Sequence, residues 1–410
     1  MKKLAILILA GVSCVSAAAA EEQTFDSYCN LADYPESHRE THVIIDAALI
    51  TPEPGGPIEE NKDWRQRVTN LMNVSEPGAL KRWDARERVT VSIAEGDGSG
   101  LRTVFSGCMP LYNAKEEKEL SDKTSAVSKF IGSDWKRKLE KDEKEFRRKL
   151  TFSLVTAAKN ITTPEAGKPF TESSLGQAIN RGYRPSYQYG TPRLIIVTDL
   201  SNYKLPDGTT PELRAEGRKD ADAWGADFGR SEVHLLGASS KTTASQNEYL
   251  KALFLEDKGL LKTITGLNGT LLVEEAPASI HIYQGLITYP DGKYPMTMRL
   301  ALDNNRRAVN SWIEVQSDQL RFVPLEGALS CVGEASCTFV DTGDFAQIWS
   351  DDPGGEPEFE NRMPFVGFRD ISFELKDGKI DGKITDSSGY VPGMEDGLAF
   401  QMVEVENGAF

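Results

Sequence analysis

The sequence predicts two domains, an α/β domain on a mainly parallel sheet followed by an all-β, sandwich-like domain. Three observations carry this. Apolar runs that stop on an acid occur twice, far apart: "HVIID" ends on Asp46 and "RLIIVTD" on Asp199. Between residues 42 and 258, strand-like runs alternate with helical patterns, the signature of a sheet with helices packed on its faces. After about Lys262 the texture changes to short runs parted by Gly, Asn, Asp and Pro, as in an all-β fold. A chain of 410 residues also exceeds what one ordinary core accommodates.

The elements follow in order. Residues 1–20, "MKKLAILILAGVSCVSAAAA", carry Lys2 and Lys3, an apolar run and an Ala-rich end, the pattern of a secretory signal cut after Ala20. Gly11 stands where a lipoprotein signal ending at Cys14 would want a branched apolar residue, so cleavage without lipidation is expected. Residues 21–41 read as an N-terminal extension. "HVIIDAAL" is a short continuous apolar run, expected of a strand covered on both faces. Trp64, Val68, Leu71 and Met72 fall at helical spacing. "ERVTVSIA" and "LRTVFSGC" form a hairpin around the Gly-rich "EGDGSG". From Lys115 to Lys159 the chain is densely charged; Trp135, Leu139, Phe146 and Leu150 mark one apolar stripe, with Glu140–Lys144 and Glu143–Arg147 at i,i+4 spacing. The mixed signs point to a solvated helix face rather than a nucleic-acid arm. "SSLGQAIN" opens a helix on a Ser cap, and "EVHLLGAS" and "SQNEYLKALFLE" add a strand and a helix before a boundary in the 258–270 region. Residues 262–410 then read as the sandwich-like domain.

Four cysteines remain after the signal: Cys29, Cys108, Cys331 and Cys337. An even number in an exported chain predicts two disulfides, Cys331–Cys337 closing a short loop and Cys29–Cys108 tying down the extension. No histidine lies near Cys331 or Cys337, which disfavours a metal site. The full chain has 62 acidic against 47 basic residues, a formal net charge of −15, and loss of the two signal lysines makes it more negative. That balance repels nucleic acid and anionic headgroups and favours cationic partners and divalent ions. After the signal, no stretch has the length a membrane span requires, so a periplasmic or secreted protein that is not membrane-embedded is expected.

Ligands of open α/β sheets gather beyond the C-terminal strand ends, so Asp46 and Asp199 are expected on one edge. The order of elements over 42–258, with "DAALI", "ESSLGQAI" and "VTDLS", resembles a von Willebrand factor A-like domain with a Rossmann-like sheet. That resemblance implies a non-enzymatic binding protein for a protein or cell-surface ligand, with a metal-ion-dependent adhesion site for Mg²⁺ or another divalent cation on Asp46, Ser173 and Asp199. The site is degenerate: Ala48 and Ile50 replace two expected serines, and Thr51 lies one residue out of register. The ordinary roles of these three residues are a cap or loop hydrogen bond. The four histidines, His38, His42, His234 and His281, lack metal-ligand spacing. In "DGKIDGKITD" the glycine is misplaced for a Ca²⁺ loop, and Ile380 and Ile384 alternate like strand residues. Asp341, Asp344, Asp351, Asp352 and Glu356 read as solvating loop acids, with Ca²⁺ binding as the alternative. An alternative is an envelope hydrolase or carbohydrate-binding protein acting on glycans through the β domain, with Trp312, Trp349, Tyr283, Tyr289 and Tyr294 as stacking aromatics. A third reading is a structural envelope component in which both domains act as interaction modules.

Overall fold

The computed structural model describes residues 22–32, 37, 39–50, 63–73, 82–123, 134–185, 191–267, 271, 277–289, 292–316, 322–332, 336–341, 368–386 and 397–405. The signal segment, Thr51, His38, Asp344, Trp349, Asp351, Asp352 and Glu356 lie outside these residues.

The first unit is a seven-stranded sheet in the order β1-β4-β3-β2-β6-β8-β9. Its strands are β1 (Gln23–Phe25), β2 (Arg39–Ile45), β3 (Arg88–Ala94), β4 (Leu101–Cys108), β6 (Thr191–Val197), β8 (Glu232–Leu236) and β9 (Leu260–Thr265). All neighbours pair in parallel except β3 and β4, the expected hairpin. Helices α1 (Ala47–Ile50), α2 (Asp63–Leu71), α3 (Ala114–Lys123), α4 (Asp134–Ala157), α5 (Ser174–Gly182), α6 (Thr210–Trp224) and α7 (Ala244–Glu256) complete the α/β unit. A two-stranded ribbon pairs β5 (Lys168–Pro169) with β7 (Tyr203–Lys204). Separate cores cover the two faces. One holds Val43, Ile45, Val91, Phe146 and Leu150; the other holds Ile44, Leu194, Ile196, Trp224 and Phe254. Strand β6 is buried at every position, as a central parallel strand requires.

Two expected boundaries shift. The extension is not outside the domain: β1 adds a strand beside β4, and Cys29 is joined to Cys108 at its end. Residues 260–265 complete the parallel sheet as β9, so the β domain begins after them rather than at 262.

The second unit is one antiparallel sheet of nine strands, in the order β13-β12-β11-β10-β18-β17-β16-β15-β14. They are β10 (Ser279–Tyr289), β11 (Gly292–Leu302), β12 (Ser311–Val315), β13 (Phe322–Leu325), β14 (Gly327–Val332), β15 (Ser336–Asp341), β16 (Phe368–Lys376), β17 (Lys379–Asp386) and β18 (Leu398–Glu404). Consecutive strands β13 and β14 sit at opposite ends of this order, so the sheet curls until its ends meet. β13 passes into β14 through Glu326 alone, and the β11–β12 connection holds β14 through an Arg307–Ala328 bridge and the Ala308 N–Gly327 O bond (2.8 Å). The expected two-sheet sandwich is therefore corrected to a single, nearly closed sheet. Its alternating inward residues, among them Ile287, Met298, Ile313, Phe339, Ile371, Ile384 and Phe400, fill one shared core. Curvature is easiest where side chains are absent: a Cβ at Gly382 would lie 2.3 Å from the Phe400 ring. "KDGK" is the β16–β17 turn, with Asp377 and Gly378 both at positive φ, as a two-residue hairpin demands. Cys331 and Cys337 face each other across β14 and β15 and are disulfide-bonded.

The seam between the units is partly ionic. Ala252, Leu255 and Leu260 pack on Trp312 and Phe322 of the barrel. Arg230 lies 4.4 Å over Trp312 and pairs with Glu314, which also accepts Lys258 at 2.9 Å. Arg299 of β11 reaches Thr191, the first residue of β6, at 2.5 Å. Behind this contact, Arg193 is fully buried, donating to Thr41 Oγ1 (2.7 Å), the Arg82 carbonyl (2.9 Å) and Glu87 Oε1 (2.7 Å).

Candidate functional site

Parallel pairing of β2 with β6 sets Ile45 opposite Val197, so both chains leave the sheet at the same rim. The Asp46 amide donates to the Val197 carbonyl at 3.0 Å, and the Thr198 amide to Leu236 at 2.8 Å. Next along the rim, Gly237 has φ +110°, and a Cβ there would meet the Thr198 carbonyl at 2.5 Å. Only glycine allows β6 and β8 to end this close together.

Asp46 is 1% exposed and enclosed by donors. Its Oδ1 accepts the Ala48 amide at 2.9 Å, while Oδ2 accepts Thr198 Oγ1 and the Tyr203 hydroxyl, each at 2.7 Å. Burial pushes its carboxyl above the usual carboxylate range; the hydroxyls and the amide pull it back, and nearby Asp199 pushes it up again. Tyr203 is raised as well, first by burial and then by the Asp46 charge. The Asp46 carbonyl accepts the Leu49 amide at 3.1 Å, so "DAALI" is a capped helical turn with Ile50 in the core.

Asp199 lies one residue further along and is partly exposed. Its Oδ1 holds its own loop, accepting the Ser201 amide at 2.9 Å and the Ser201 hydroxyl at 2.7 Å. The parallel register of Ile45 with Val197 brings the two distant acids to one rim, where the Asp199 charge raises both Asp46 and Tyr203. Ser173 is turned elsewhere. Its hydroxyl donates to the Phe170 carbonyl at 2.6 Å and accepts the Gly176 amide at 3.1 Å, capping α5. The neighbouring Ser174 Oγ is buried, within electrostatic reach of the Tyr203 hydroxyl but without hydrogen-bond geometry.

This donor set does not fit the ion implied by the resemblance. One hydroxyl is spent on a helix cap, and two others occupy the Asp46 oxygen an ion would need. Among the described residues no group of three or more His, Cys, Asp or Glu side chains is arranged to hold a metal ion. Sequence reasoning missed Thr198, Tyr203 and Ser174. Thr198 was visible as a hydroxyl directly before Asp199, but nothing local signals that Tyr203 folds back onto Asp46.

Other expected positions resolve into structure. His42 bonds Ser92 at 2.8 Å and is pushed down to about 4 by burial, and fully buried His234 lies 3.1 Å from Thr263 Oγ1. His281 meets Glu404 at 2.7 Å at the surface. Asp341 accepts the Glu326 amide at 2.8 Å. Tyr283, Tyr289 and Trp312 are buried, so none of these three presents an open face to a sugar, and half-buried Tyr294 meets Tyr289 edge-to-face at 5.2 Å. The two disulfides belong to an oxidising compartment. No described helix is long and apolar enough to cross a membrane. No protein-family model matches the chain, and no curated protein sequence matches it.

Proposed function

We propose that the chain is an exported, non-enzymatic binding protein whose α/β unit is a von Willebrand factor A-like domain. It engages a protein or cell-surface ligand at the rim where β2, β6 and β8 end. The observation that carries this reading is the layering of the rim. A buried Asp46–Thr198–Tyr203 cluster fixes the strand tips, and above it stand partly exposed Asp199 and the exposed Ser201, Ser239 and Ser240. A rigid base beneath an exposed polar edge holds contact groups in place before a partner arrives, which lowers the ordering cost of association. Recognition runs through the exposed groups and needs no ion on Asp46.

The test is a photo-crosslinking residue at Ser240, with the same residue at exposed Glu374 of the barrel as control, in the envelope of the source cells. The Ser240 probe is expected to give a discrete adduct that purified protein suppresses and the Asp199→Arg protein does not. Equal labelling from both positions refutes a rim-directed binder.

A further inference from the structure

The whole-chain charge hides a cationic ridge on α4. In sequence this helix mixes signs. In the fold its inner face is fixed: Phe146, Leu150 and Leu154 enter the core, Asp142 accepts the Tyr28 hydroxyl at 3.1 Å, and Lys149 donates to the Thr24 carbonyl at 2.7 Å. The outermost row of side chains, at i, i+4, i+7 and i+11, is Arg137, Lys141, Lys144 and Arg148, all exposed. The row then ends on Phe152, 59% exposed, and Val155, 36% exposed. The acids Glu140 and Glu145 sit to the flanks. Glu140 and Lys144 form no ion pair despite their spacing, and Arg148 meets Glu145 only at 3.9 Å. Lys141 and Lys144 have no acidic partner among the described residues.

The geometry points to peripheral docking of this ridge on an anionic phospholipid surface, independently of the rim. From Arg137 to Val155 the ridge runs about 27 Å at a helical rise of about 1.5 Å per residue. Charge complementarity demands an anionic partner. The apolar end selects a bilayer over an acidic protein: an exposed aromatic in line with four cations suits the boundary between headgroups and acyl chains, where amphipathic helices bury their apolar residues. The acidic remainder of the molecule keeps the contact short-ranged and sensitive to salt.

The experiment is sedimentation of the full chain with equimolar phosphatidylglycerol–phosphatidylcholine vesicles and with pure phosphatidylcholine vesicles, at low and raised salt. Binding is expected to the anionic vesicles alone and to fall with salt. Each surface cation contributes roughly fivefold to partitioning, so K141Q/K144Q/R148Q, which removes three, is expected to lose about 100-fold. Phe152→Ala is expected to lose several-fold at unchanged charge. These side chains are exposed, so thermal unfolding matching wild type shows that the variants fold. Equal sedimentation with both vesicle types, or full binding by the triple variant, overturns the proposal. So does ridge-dependent binding to polyglutamate without binding to anionic vesicles, which would assign the ridge to an acidic polypeptide.

Discussion

Replacing Tyr203 by Phe isolates the bond that closes the rim. The ring is retained and keeps its edge contact with Phe170 at a centroid distance of 5.9 Å, so packing is largely preserved. What is lost is one 2.7 Å hydrogen bond to Asp46 Oδ2, leaving Thr198 and the Ala48 amide as donors. A hydrogen bond to a charged group is worth about 1.5–3 kcal/mol, against about 1 kcal/mol for a neutral pair. The expected cost is about 2 kcal/mol when Asp46 is ionised, a fall in Tm of about 4–8 °C for a unit of this size. The pH dependence gives the claim its signature. Burial raises Asp46 above its unfolded value, so the folded state holds the proton more tightly. The stability linked to Asp46 is therefore fully present below the unfolded pKa and is lost as pH rises through the folded pKa. Removing a donor that favours the anion raises that folded pKa further, so the variant's deficit grows with pH and shrinks toward pH 4. Urea unfolding of both proteins across this range measures it. A deficit that is zero, or the same at every pH, would refute the enclosure of Asp46 by Tyr203.

Further outcomes are expected. Thermal unfolding in Mg²⁺, Mn²⁺ and EDTA should coincide, and Asp199→Asn, which relieves repulsion on Asp46, should leave Tm unchanged or slightly raised; an Mg²⁺-dependent rise abolished by Asp199→Asn would restore the adhesion-site ion. Arg193→Met leaves Glu87 buried without its cation and should cost about 3–5 kcal/mol in chemical denaturation, with Glu87→Gln in the same chain recovering part of it. Removing Cys29–Cys108, at a separation of 79 residues, should cost about 4.5 kcal/mol, and removing Cys331–Cys337, at a separation of 6, about 2.3 kcal/mol, from loop-closure entropy. His42, held near 4, should show no ring protonation by NMR until about that pH. Since its folded pKa lies below the unfolded value, the stability it contributes is lost as pH falls from about 6.5 toward 4.

The parallel strands were legible because burial on both faces forces continuous apolar runs, and "HVII" and "LIIV" admit little else. The helices were legible from stripe and cap: Ser173 caps α5 as its position before "SLGQAI" implied. Barrel closure was not. Alternation in "SFEL" or "KIDGKI" says which residues face inward, but the same alternation serves two stacked sheets and one curled sheet. The difference lies in β13 and β14 meeting from opposite ends, a long-range fact. The meeting of Asp46 and Asp199 followed from topology, whereas their separate fates depended on neighbours no local window contains. Charge was the least legible. Arg193 opens the apolar run "RLIIVTD", yet nothing in that run signals that it is fully buried against Glu87 from the threshold of another strand. The α4 cations read as half of a mixed-sign face until the core fixed which side turned outward.

Strand β6 connects these features. Its first residue, Thr191, receives Arg299 from the barrel; its third, Arg193, anchors the buried ionic cluster; and the residue after its last, Thr198, donates to Asp46 at the rim. Seven residues of strand span roughly 23 Å, and none of their side chains reaches solvent. A fully buried strand cannot slide by one residue without exchanging its two faces between the two cores. The barrel contact and the rim are thus fixed at opposite ends of one immobile element. Reorienting the barrel against the rim would require breaking the Arg299–Thr191 bond and the Arg230–Glu314 pair while exposing Trp312 and Phe322. On the proposed reading a ligand at the rim meets a molecule whose barrel already has a set direction, because the seam is held by partly exposed ion pairs around an apolar contact rather than by a loose linker.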